Sequence, residues 1–103
     1  MRKINEKEFK LIKKIIPNGM HSFYSDDFLR GVTVDYSDDG GMGGLIFFPE
    51  RKDRKFGSIL GDCSFRDRDG AWVLASIFLD ENGELFELDM WRSDFKRLID
   101  LPD

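Results

Sequence analysis

The chain's chemistry must come largely from carboxylates, because 20 of its 103 residues are Asp or Glu, against one histidine and one cysteine. Their spacing decides what they can do. Asp67-Arg68-Asp69-Gly70 opens like a calcium loop, but the later ligands and the closing Glu are missing, so a turn is the plainer reading. Asp26-Asp27 stands at a helix start, where negative charge favours the helix dipole; capping explains the pair without catalysis. Asp38 to Gly44 (DDGGMGG) is glycine-rich, and such loops can cradle phosphate through backbone N–H groups. Phosphate loops open a helix, however, whereas an apolar strand follows here and two aspartates would repel phosphate. A hairpin turn with a bulge fits better, with Gly43 and Gly44 permitting close backbone approach. His21 has no matched nucleophile and reads as structural or solvated. Cys63, in mid-strand without a neighbouring cation, reads as a small buried hydrophobe. The basic loop Arg51, Lys52, Arg54 and Lys55 can touch RNA or an acidic partner, but Glu50 and Asp53 interrupt it, which is usual for a solvated loop. No catalytic, cofactor or metal set emerges.

The elements that position these groups follow from periodicity. Leu11, Ile12, Ile15 and Ile16 recur at helical spacing, predicting a helix over about 6–16. Asn5 and Glu8 form its capping box, Ile4 and Phe9 a hydrophobic staple, and Pro17 ends it. A second short helix is expected at Asp26–Arg30, capped by Ser25. After Gly31 the period becomes two. Strands are expected at Val32–Ser37, Leu45–Phe48, Phe56–Arg66, Ala71–Asp80 and Glu84–Trp91, then a short terminal helix capped by Ser93 with Phe95, Leu98 and Ile99 on its apolar side. The expected fold is α+β, a single domain over residues 1–103: an antiparallel meander of about five strands, packed against the N-terminal helix and followed by a short C-terminal helix.

Register converts this into surfaces. A two-residue Asn82-Gly83 turn pairs Glu81 with Glu84, Leu79 with Phe86, Ile77 with Leu88 and Ala75 with Met90, giving an apolar core face. A three-residue turn with Gly70 left-handed adds Phe65, Cys63, Gly61 and Ile59 to that face. The opposite face then gathers Asp62, Asp80, Glu87 and Asp89 around Trp72, Phe78 and Trp91. Aromatics ringed by acids suit a partner with apolar and basic groups. The competing reading folds the C-terminal helix over Trp91 and Phe78, leaving ordinary solvated acids.

Composition narrows the classes further. A net charge of −4 argues against general nucleic-acid binding. The charge is also polarised, with seven basic and four acidic residues in the first thirty, but five basic and eleven acidic from residue 56 onward. Apolar runs fall short of the roughly 20 residues a bilayer span needs, and no signal-peptide pattern stands at the start. One cysteine excludes an internal disulfide and fits a reducing compartment. No repeat or linker is visible.

Two segments carry a family resemblance: Val34 to Leu45 (VDYSDDGGMGGL) and Asp80 to Phe95 (DENGELFELDMWRSDF). Together they resemble a small, uncharacterised bacterial domain family of unknown function, whose motifs carry no established chemistry. The resemblance implies a cytoplasmic, single-domain bacterial protein, and by analogy with small acidic α+β proteins an immunity-type role. The expected function is therefore a binding module, immunity-type or regulatory and not an enzyme, with a basic toxin or enzyme as its partner and no nucleic acid, membrane or cofactor involved. Alternatives are a structural or homo-oligomeric module, such as a homodimer through the same face, and a hydrolase-like enzyme using carboxylates with His21.

Overall fold

The computed structural model describes residues 1–103. Helix α1 spans Glu6–Ile15, and its start is built as the sequence predicts. The Asn5 side chain accepts the Glu8 amide at 2.8 Å, and the Glu8 carboxylate accepts the Asn5 amide at 2.9 Å. Glu8 is buried, and Arg2 grips it with two bonds of 2.8 Å. Phe9, Leu11, Ile12 and Ile15 point into the core. A single 3-10 turn, Asn18–Met20, follows Pro17. Helix α2, Asp26–Gly31, is capped by the Ser25 hydroxyl, which accepts the Phe28 amide at 3.1 Å.

The sheet has six strands rather than about five: β1 (Arg2–Lys3), β2 (Thr33–Tyr36), β3 (Leu45–Phe47), β4 (Phe56–Arg66), β5 (Trp72–Asp80) and β6 (Leu85–Arg92). All pairings are antiparallel, in the order β1-β2-β3-β6-β5-β4. The additional strand, β1, is only two residues long, below what an alternation pattern can reveal. A simple meander is also broken once. The segment after β3 crosses to the far edge, and β4-β5-β6 then returns until β6 lies beside β3. The helices cover one sheet face, where 17 apolar residues form one core. Gly61 lets α1 close on β4, since a Cβ there would stand 2.4 Å from the Ile15 carbonyl oxygen.

The central register is as read from the sequence: Ile77 pairs with Leu88 and Ala75 with Met90, and Cys63, opposite Ala75, shares their face. The ends differ. Both long hairpins use the same three-residue loop. The Gly70 amide donates to the Asp67 carbonyl and the Asp67 amide to Ala71; likewise Gly83 donates to Asp80 and Asp80 to Glu84. Gly70 and Gly83 are left-handed, with φ of 89° and 77°. The Asn82-Gly83 turn is therefore a three-residue loop, not a two-residue one, and the ladder absorbs the extra residue as a bulge. Leu79 pairs with Leu85 instead of Phe86, so Leu85 turns inward and is buried. A bulge in β4 between Ile59 and Gly61 likewise moves Ile59 to the outer face, against expectation.

No terminal helix forms after β6. Ser93 caps nothing, and Phe95 adopts a left-handed φ of 61°. So short a helix has little cooperative stability of its own, and its amides find other acceptors. Leu98 donates to the Gly41 carbonyl at 3.0 Å, while Ile99 and Asp100 donate to the Asp67 carboxylate at 2.8 and 3.1 Å.

Candidate functional site on the open sheet face

The sheet face turned away from the helices is uncovered, and antiparallel register lays its side chains in cross-strand rows. One row runs Asp35, Ile46, Glu87, Phe78, Ile59. The next is Asp89, Ser76, Asp62, and the third Trp91, Leu74, Ser64. Trp72 and Arg66 close the end. Trp72 is 51% exposed and Trp91 46%, while Phe78 and Glu87 are half-buried and Asp62 and Asp89 exposed. Six of the seven residues expected on this surface therefore share it. Asp80 is the exception.

Aromatic contacts order the apolar parts. Phe56 meets Phe78 edge-on at 5.2 Å between ring centres, and Phe95 meets Trp91 edge-on at 5.6 Å. The Arg66 guanidinium lies 4.4 Å from the Trp72 ring centre. Phe95 is thus the part of the expected C-terminal cover that meets Trp91, and it is itself 67% exposed. Leu98 lies on the other side of the sheet, against the space over Gly43 and near Met90.

Of the carboxylates on this face, Asp35 is paired with the Met1 amino group at 2.7 Å. The side chains of Asp62, Glu87 and Asp89 take part in no hydrogen bond or ion pair. Burial pushes the Glu87 carboxyl above its ordinary range, and the nearby Asp89 adds to the rise. Asp89 is pushed up by burial and then by Asp39. The arrangement supplies negative charge and aromatic contact area side by side.

Asp80 belongs elsewhere. It is 2% exposed, and its Oδ1 accepts the Asn82 and Glu84 amides at 2.8 and 3.0 Å, which closes its own loop. Arg54 lies 3.5 Å from its other oxygen. Burial alone would raise its pKa; the two amides and the guanidinium outweigh that and hold it low. Arg54 is correspondingly no member of a solvated basic loop. It is buried and donates to the carbonyls of Phe47, Phe48 and Leu85.

The family model of DUF6984, a domain of unknown function, matches residues 1–102. The chain belongs to that family. The motif segments that carry the resemblance, DDGGMGG and GELFELDMW, both lie within the matched span. No curated protein and no solved structure matches the chain. No helix in this DUF6984 fold is long and apolar enough to cross a membrane.

Sequence reasoning missed a buried cation with several carboxylate partners. Arg92 is 2% exposed; it donates to Asp67 at 2.7 Å, to Asp94 at 2.8 Å and to Asp69, and also to the Arg97 carbonyl. The signal was present: Arg92 shares the parity of Leu88 and Met90, the core side of β6. The glycine-rich segment is a turn tied by Asp39, whose carboxylate accepts the Met42 and Gly44 amides at 3.0 and 2.8 Å. Its bare backbone leaves room for Arg97 and Leu98, which a Cβ on Gly41 or Gly43 would meet within 3 Å. His21 Nε2 lies 2.9 Å from the Ile16 carbonyl, to which it donates, a structural tie at the end of α1. Cys63 is half-buried against the core, where burial pushes its thiol pKa up.

Proposed function

We propose that this chain is a protein-binding module, of immunity or regulatory type, acting by occlusion rather than catalysis. The observation that carries the reading is the uncovered sheet face, where Trp72, Leu74, Trp91 and Phe95 stand exposed beside three carboxylates that form no ion pair. Exposed aromatics of this size are the usual anchors of protein interfaces, and unpaired acids favour a basic partner and speed its approach. A homodimer through the same face is disfavoured, since it would bring the Asp62, Glu87 and Asp89 rows of two copies together.

The test is affinity capture from a cognate lysate with three baits: wild type, Glu87→Lys/Asp89→Lys, and Trp72→Ser/Trp91→Ser. A basic protein retained by wild type, lost by both variants and weakened by salt supports the reading. Retention by all three baits, or self-association of wild type that Trp72→Ser/Trp91→Ser abolishes, contradicts it.

A further inference from the structure

A second concave site lies away from the open face, between the loop before α2 and the β5–β6 hairpin. It is a cavity of about 300 Å³ walled by Phe23, Tyr24, Phe28 and Phe48, with Arg51 and Glu84 at its mouth and Leu85 at its base. That volume stands at the small end of ligand pockets, enough for one ring or two fused rings. We propose that this pocket binds a single neutral aromatic ring system, of phenol or indole size.

Three observations carry the proposal. First, the walls are aromatic and mutually braced. Phe23 meets Tyr24 edge-on at 4.8 Å, and Tyr24, itself buried, is 6.2 Å from Phe28, so the buried ring backs two exposed ones. Phe23 and Phe28 nevertheless stay 70% and 45% exposed, a cost that a seated ligand would remove. Second, the mouth is charge-balanced. Arg51 pairs with Glu84 and lies 4.2 Å over the Phe48 ring, so neither sign of charge is left to attract an ion, while the Glu84 carboxylate can still accept a ring N–H or O–H and Arg51 can donate to a ring oxygen. Third, one wall is held in place at a conformational cost. Phe48 has a left-handed φ of 51°, unfavourable for a bulky residue. Arg54 fixes that backbone by donating to the Phe48 and Leu85 carbonyls at 3.2 and 3.0 Å.

Amide-resolved NMR titration of the intact protein tests this, with indole as the free-ring probe and N-acetyl-tryptophanamide as the ring carried on a chain. Saturable shifts at Phe23, Phe28, Gly83 and Glu84 are expected with indole. Binding of indole alone assigns a free small molecule; binding of both assigns a ring that can also arrive on a polypeptide. Phe23→Ala and Phe28→Ala, both at exposed positions, should each weaken indole about five- to tenfold while the melting temperature stays near wild type. The proposal is overturned by shifts that do not saturate or that map to Trp72 and Trp91. Undiminished binding in both folded variants, or tenfold tighter binding of benzylammonium or benzoate than of indole, also overturns it.

Discussion

Carboxylates at the two hairpin loops that flank β5 and carboxylates on the open face are the same chemical groups with opposite fates. At the ends, Asp67 and Asp80 are buried, amide-bonded and paired with Arg92 and Arg54, and both are held below the ordinary carboxylate range. On the face, Glu87 and Asp89 have no partner and are pushed above it. Carboxylates whose oxygens are already satisfied build the fold, whereas unsatisfied ones remain available to a second molecule. The ends differ in turn from each other. Asp80 closes its own loop, while Asp67 accepts amides from Ile99 and Asp100 and so fastens a distant segment.

The largest effect is expected at Asp67. Asp67→Ala takes from the buried Arg92 guanidinium its one buried carboxylate partner, leaving the more exposed Asp69 and Asp94, and frees the amides of Arg68, Ile99 and Asp100, which should lower the melting temperature by about 10 °C. Hydrogen exchange over residues 93–103 should rise in the same variant. Unchanged exchange there would mean that Leu98 and Leu101, not Asp67, hold the segment. A smaller loss is expected from Asp80→Asn, because the amide oxygen still accepts from Asn82 and Glu84 and only the charge opposite Arg54 disappears. A loss equal to that of Asp67→Ala would make the two ends energetically alike.

The smallest effect is the most discriminating. Stability contributed by Asp67 and Asp80, whose folded pKa values are depressed, is present above the unfolded carboxylate range and is lost as pH falls below that range and through the folded midpoints. Glu87 and Asp89 run the other way: their charged forms oppose folding above their raised midpoints, and acid relieves this. Glu87→Gln/Asp89→Asn should therefore melt slightly above wild type at pH 7, by no more than about 4 °C, with the advantage fading towards about pH 3. A variant that melts well below wild type at pH 7 would place these acids among the structural ones.

Much of this contrast was legible in the sequence. Alternation in β5 and β6 gave the open face and six of its seven expected members, because period-two patterning survives anywhere the ladder is regular. It failed at the hairpin ends, where a bulge changes parity: Asp80 and Leu85 turn in, and Ile59 turns out. Arg54 and Arg92 were missed for another reason. A cation in a loop or at a strand end reads as solvated unless its partners are known, and their buried carboxylate partners, Asp80 and Asp67, lie 26 and 25 residues away; only the core-side parity of Arg92 hinted at its burial. The terminal helix failed because its amides are claimed by Asp67 and Gly41, tertiary acceptors that no local pattern records.

The measurement that bears most directly on the division between structural and available acids is a residue-resolved NMR titration of the side-chain carboxyls in the wild-type protein. The account predicts Glu87 and Asp89 titrating above the ordinary carboxylate range and Asp67 and Asp80 below it. Glu87 and Asp89 titrating at or below the midpoints of Asp67 and Asp80 would contradict it.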